Sequence, residues 1–293
     1  MSKIQMPVEE RIGKVIMVIV LCLASLAALY PFLYVFSMAI SSPEHVLRRD
    51  VYLYPRGIGL EGYRLVFSNA NIWRSYANTI YYTLVGTAIN VTLTVLAAYP
   101  LSRPRFVLRR PLSLMITFTM FFGGGMIPFF IVISRLGLYN TRWGVLLPFA
   151  VSAWNIIIAR TFYESIPEAL IESATIDGAG NMVTLVKIVL PLSGSILSVL
   201  ALFYAVGHWN SYFWPLVLLN NPELQPLQIY LYKILVQLKQ DTMAGAQIGI
   251  SRTVAAEQFK YSSIIVSILP IIVVYPFLQK YFVKGVMIGA VKG

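Results

Sequence analysis

No acidic residue interrupts any long apolar stretch of this 293-residue chain, and charged side chains of either sign make up only 12% of it. A water-soluble domain carries about twice that fraction. With hydrophobic residues at 58% and a mean hydropathy of +0.72, a solvated globular fold is excluded and the chain belongs in a bilayer. The single cysteine, Cys22, leaves no partner for an internal disulfide and no thiol cluster for a metal. There is no G-x-x-x-x-G-K-[ST] segment to cradle a nucleotide's phosphates, and no nucleophile, base and orienter stand in a recognisable constellation. The stretch 57–62 matches G-x-G-x-x-G, but no strand and helix flank it and it reads as a loop turn. Low-complexity tracts, heptads and 20-to-50-residue repeats are missing as well.

What remains is a series of apolar runs free of acidic residues. A helix crossing the hydrocarbon core needs about 20 apolar residues, and six intervals qualify: 15–40, 76–99, 112–134, 144–163, 193–219 and 261–282. The first follows Lys3, Arg11 and Lys14 as a secretory signal would. It is too long for one, since a signal's apolar region is about 7 to 15 residues, and a retained span is expected. Six spans place both ends on one side and the loops 41–75 and 220–260 on the other. The basic residues, which give a formal charge of +11, are spread through the loops rather than gathered on one face, which argues against nucleic-acid binding. Short basic loops mark the cytoplasmic side, and 101–111, with Arg103, Arg105, Arg109 and Arg110 and no acid, favours cytoplasmic termini. The opposite side then carries eleven basic residues against Glu44, Asp50, Glu61, Glu223, Asp241 and Glu257, a net 11 − 6 = +5.

The polar interruption 165–191 reads as two short helices. Ser165 and Glu168 have capping-box spacing with Pro167 in the first turn, so a helix should start there. Asp177-Gly178 should end it through a left-handed glycine. A second helix should run over 181–189 and stop before Pro191. The product is a protruding helix-turn-helix knob between the fourth and fifth spans.

Glu172-Ser173-Ala174, three residues, Gly178, nine residues and Ile188-Val189-Leu190-Pro191 resemble the "EAA" loop of ABC importer permeases, with Ser173 in place of the usual second alanine. Tyr54-Pro55-Arg56-Gly57, Tyr76-Ala77-Asn78-Thr79, Ala98-Tyr99-Pro100-Leu101-Ser102-Arg103, Leu136-Gly137-Leu138-Tyr139-Asn140-Thr141 and Trp209 through Leu216 look like the carbohydrate branch, the six-span second permease of maltose-type importers. Phe122-Gly123-Gly124-Gly125-Met126-Ile127-Pro128 and the tail 284–293 are similar to its complex-polysaccharide subgroup, which includes alginate importers. The resemblance implies one all-α transmembrane permease domain over 1–293, of the ABC type I importer fold. It implies that Glu172, Ser173, Ala174, Asp177, Gly178 and Pro191 form a coupling helix seated in an ATPase subunit. It implies as partners a second, homologous permease, two ATPase subunits that bind the ATP and Mg, and an external sugar-binding protein. The chain itself would hold no cofactor or metal, and would sit in a bacterial cytoplasmic membrane among its lipids.

Trp209, Tyr212 and Trp214, with His208 and Asn210, fall near one end of the fifth span. Aromatic rings cover apolar sugar faces while Asn and His bond hydroxyls, so these five are candidates for a sugar path; an interfacial aromatic belt is the competing reading. His208 has no second histidine or acid nearby and reads as a helix-packing group rather than a metal ligand. An ion-coupled secondary transporter would carry ionisable groups within its spans and related half-repeats; the six intervals hold only His208 and the near-terminal Arg160 and Lys280, with no Asp or Glu, and no half-repeat is visible. A receptor or enzyme would need a soluble domain that the chain lacks. The outer +5 and the resemblance together point to an acidic, uronate-type oligosaccharide, with a neutral oligosaccharide as the alternative and anionic headgroups as a second use of the arginines.

Overall fold

A computed structural model of the chain describes residues 8–243 and 257–274. Among the described residues the regular structure is entirely helical. In order, the helices are α1 (Val8–Ile40), α2 (Pro43–Arg48), α3 (Glu61–Ser68), α4 (Ala70–Ser102), α5 (Arg109–Phe121), α6 (Met126–Arg135) and α7 (Arg142–Leu146), the last continued by a 3₁₀ turn, Leu147–Phe149. Then come α8 (Ala153–Glu164), α9 (Glu168–Ile176), α10 (Asn181–Leu192), α11 (Gly194–Trp209), α12 (Phe213–Leu218), α13 (Leu227–Met243) and α14 (Glu257–Val274).

Among the described residues three helices, α1, α4 and α14, are long and apolar enough to cross a membrane unaided. Three bent pairs bring the number to six, with breaks of 118° between α5 and α6, 46° between Arg142–Phe149 and α8, and 84° between α10 and α11. The expected third span is therefore not one straight helix. Gly125 sits at φ +81°, a conformation closed to side chains with a Cβ, and the glycine run 123–125 has no side chain with which to bridge the corner. The fourth is interrupted at 150–152, just after Pro148. The fifth stops at Trp209 rather than 219, where Asn210 takes over as the cap, and a separate α12 follows. The second is longer than expected, 33 residues with Pro100 inside its last turn. The last eight residues of the expected sixth span, 275–282, and the loop portion 244–256 lie outside the described residues.

The chain divides into two compact units. In the first, residues 1–70 with 231–269, Met38, Val46 and Val51 form a small core closed by Tyr34 and Tyr261. Its polar centre is Gln258, wholly buried. Gln258 Nε2 donates to the carbonyls of Ser41 (3.0 Å) and Gly59 (2.7 Å), and its Oε1 accepts from the Gly62 amide (3.2 Å). Nearby, His45 bonds Asp50 (3.0 Å) and Arg56 lies 3.4 Å from the same carboxylate. The His45 hydrogen bond, then the charges of His45 and Arg56, hold Asp50 below the usual carboxylate range.

In the second unit, residues 71–230 with 270–293, one end is a hydrogen-bonded rim. Asn78 donates to the carbonyls of Glu223 (2.7 Å) and Gln225 (3.2 Å) and accepts from Arg142 (3.1 Å). Tyr82 donates to Leu224 O (2.8 Å), and Thr79 accepts from the Leu227 amide (2.8 Å). Gly137 (φ +70°) and Asn140 (φ +58°) make the left-handed turns that deliver Thr141, whose side chain caps α7 by accepting from the Gly144 amide. A Cβ at Gly144 would overlap the Leu138 carbonyl. Two segments known at first only by resemblance, 76–79 and 136–141, thus have a mechanical explanation: they fasten the 218–227 loop.

Candidate functional site

The knob is built much as its punctuation suggests, with two corrections. Ser165 does not cap α9; its hydroxyl donates back to Phe162 O (2.7 Å) and Pro167 occupies the cap position. The chain arrives at Ser165 still in a helical turn, so its side chain is spent on the helix it leaves. The second helix does not stop before Pro191 but runs through it to Leu192. It does so by widening into a π turn over Leu185–Val189, in which the Leu190 amide donates to Leu185 O, five residues back. That extra residue relieves the clash a proline ring makes with the preceding turn.

The reversal between the helices follows the glycine logic in full. Gly178 lies at φ +81°. The Ala179 amide donates to Ala174 O (2.8 Å) and the Gly178 amide to Thr175 O (3.1 Å), the paired bonds of a Schellman motif. Ala174 is buried while Ser173 is exposed, its hydroxyl donating to Ala169 O (2.8 Å). The departure from the family pattern therefore falls where a small polar residue packs against nothing. Glu172, Asp177, Gly178 and Pro191 are exposed, as are Ile176, Met182 and Val186.

Beneath this surface the knob is welded to its spans. Ile166, Leu185 and Val189 join a core with Val95, Ala98 and Tyr99 of α4, Ile156, Ala159 and Tyr163 of α8, and Ile196, Leu200 and Tyr204 of α11. The basic loop after α4 clasps it. Arg103 donates to Tyr163 O (2.8 Å), Arg109 reaches Glu164 (2.6 Å), and Arg160 bridges Glu164 (2.8 Å) and Ser113 (2.8 Å). Arg105 lies 3.5 Å from Glu172, but with both side chains more than half exposed this pair contributes little. The arginines of 101–111, which the sequence offers only as a topology signal, thus have a second use.

The five sugar-path candidates separate. His208 turns inward to Asn90 (2.6 Å). Trp214 packs on Phe129 and Phe149 with ring centres 4.4 and 5.7 Å away. Asn210 donates to Val206 O (3.0 Å) at the end of α11, and Tyr212 is exposed. Trp209 alone lines a cavity of about 720 Å³ with α4 residues Ile80, Thr83, Leu84 and Thr87.

The knob is thus an arm between α8 and α11 whose base is packed into the core that those two helices share with α4. The chain belongs to the family of binding-protein-dependent transport system inner membrane components, whose profile it matches over residues 90–288. It is 37% identical over 273 residues to the polygalacturonan/rhamnogalacturonan transport system permease protein YtcP of Bacillus subtilis strain 168, covering 93% of this chain and 96% of that one. Protein LplC of the same organism is 39% identical over 269 residues, covering 90% and 89%. Among solved structures, a chain from a bacterial ABC transporter involved in the import of the acidic polysaccharide alginate superposes with a TM-score of 0.88 at 40% identity, over 96% of this chain and 100% of that one. The fold is that of an ABC type I importer permease, and the chain is the membrane transport component of such a system.

Proposed function

We propose that this permease carries acidic oligosaccharides inward, driven by ATP hydrolysis in separate ATPase subunits that bind ATP and Mg and grip the knob. The observation that carries the reading is the welded knob, since a rigid arm shared by α8 and α11 converts motion of a docked ATPase into rocking of two spans. Its exposed face mixes Glu172 and Asp177 with Ile176, Met182 and Val186, the polar and apolar mixture of a protein interface. The knob then faces the cytoplasm, as do the termini, in a bacterial inner membrane. The single domain over 1–293 pairs with a second, homologous permease, and a loaded sugar-binding protein docks on the loops 41–75 and 220–260. Apolar residues ring α1 and are exposed over most of its length, as lipid or a neighbouring membrane subunit requires.

The acidic substrate rests on two supports. The relatives are named for polygalacturonan/rhamnogalacturonan and for alginate transport, and the outer side has the net charge of +5 derived above. Asp50, Glu223 and Glu257 are already engaged by Arg56, Arg74 and Lys260, which spends paired charges and leaves the excess positive. That excess raises the local concentration of anions over about 8 Å at physiological salt. Trp209, Asn210 and Tyr212 lie along the sugar's path, whereas Trp214 is packed on Phe129 and Phe149 and His208 is engaged by Asn90. Binding-protein-stimulated ATP hydrolysis, measured with uronate and neutral oligosaccharides of equal length, is expected to rise with the uronates; stimulation by the neutral sugars alone contradicts the substrate class.

A further inference from the structure

The break in the fourth span leaves backbone groups without helical partners in a region where water is scarce, and each must be satisfied by protein. Two side-chain pairs do this, one at each edge of the break. Asn90 Nδ2 donates to Phe149 O (2.6 Å), and Asn90 Oδ1 meets His208 Nε2 at 2.6 Å. On the other edge the Ser152 amide donates to the Tyr204 hydroxyl (3.2 Å), which also bonds Thr94 Oγ1 (2.7 Å). The carbonyl of Phe149 can only accept, so the Asn90 amide orientation is fixed, and the His208 proton must lie on Nε2. Asn90 and Thr94 are i,i+4 on α4; Tyr204 and His208 are i,i+4 on α11. Each helix therefore offers one face, one turn apart, to the two edges of the break. Gly86 belongs to the same device, because a Cβ there would overlap the His208 ring.

The placement gives the bonds a purpose beyond satisfaction. On one side of the break, α7 is pinned to the rim through Arg142 and Asn78. On the other, α8 runs straight into the knob and shares its core. A swing of α8 and the knob relative to α7 is taken up at the 46° break where α7 meets α8, against the unbroken α4. We infer that Asn90 with His208, and Tyr204 with Thr94, form a polar joint that sets the angle of α8. They are positioning residues that make hydrolysis in the ATPase docked on the knob productive for transport. This rests on the permease reading above, and adds to it the residues that hold the pivot.

The test uses the full transporter in proteoliposomes with its binding protein and a uronate oligosaccharide, reading uptake and ATP hydrolysis together. Tyr204→Phe and His208→Leu remove one polar group each while keeping bulk. ATP consumed per sugar delivered is expected to rise about tenfold in both, the size of one unsatisfied buried group. His208→Gln keeps a donor for Asn90 Oδ1 and is expected to stay within about twofold of the wild type. A purely structural role lowers uptake and hydrolysis in proportion and leaves that ratio unchanged, which overturns the joint, as does an equal effect of His208→Leu and His208→Gln. Wild-type complexes that hydrolyse ATP without uptake of any sugar overturn the permease reading itself, a result separate from any behaviour of the variants.

Discussion

Gly178→Pro is expected to abolish uptake while the chain still reaches the membrane. Proline fixes φ near −65° and has no amide hydrogen, whereas Gly178 sits at φ +81° and its amide donates to Thr175 O (3.1 Å). Losing the left-handed turn and that bond costs about 3 kcal/mol or more, about a hundredfold in the population of the reversed knob. The damage is confined, because Gly178 has nothing within 4 Å of where its Cβ would lie and the spans keep their core. Gly178→Asn, which tolerates the left-handed region, is expected to retain most activity. Uptake in whole cells, normalised to membrane-inserted protein, separates these outcomes. Wild-type transport by the proline variant would show that the knob's reversal is not needed. Glu172→Lys tests the same surface by charge, placing a cation beside Arg105 and reversing what the knob presents to its partner.

The second large effect is on stability. Gln258→Ala is expected to strand three buried groups at once, the carbonyls of Ser41 and Gly59 and the amide of Gly62. At about 1–3 kcal/mol for each unsatisfied group, the loss is a large part of the 5–15 kcal/mol that holds a typical domain together. Water cannot easily replace the amide, since Gln258 has no exposed surface and Gly62 approaches the backbone of Gln258 so closely that a Cβ would meet its carbonyl at 2.8 Å. In mild detergent the unfolding midpoint is expected to drop by about 10 °C, against little change for the exposed Leu60→Ala. An unchanged midpoint for the alanine variant would mean that the loop 41–62 is held by something else.

Much of this was legible from residue types, and the failures share a cause. Apolar runs located the membrane helices, and Gly178 announced its turn because only one residue type sits easily at that φ. Hydropathy could not see that 112–134 turns a corner at Gly125, since three glycines only dilute the average of a long apolar run while freeing its backbone. Nor could it see that Pro191 lies inside a helix, because a π turn is a tertiary accommodation with no pattern of its own. Pairwise partnerships such as Asn90 with His208, or Arg103 with the Tyr163 carbonyl, join residues separated by 118 and 60 positions; no spacing rule reaches that far. The sugar-path candidates suffered most. Residue type and position marked all five alike, and only packing distinguishes the ring in a cavity wall, Trp209, from the ring in the core, Trp214.

The central claim is that this chain is the passive membrane arm of a transporter whose power is supplied through the knob. Affinity purification of the tagged chain in mild detergent, followed by an ATP hydrolysis assay with and without the co-purifying subunits, tests it directly. The account predicts a complex containing an ATPase and a second permease, hydrolysis only when the ATPase is present, and loss of the ATPase from Gly178→Pro preparations. Hydrolysis by the chain purified alone, or a stable preparation that transports sugar with no ATPase bound, would contradict it.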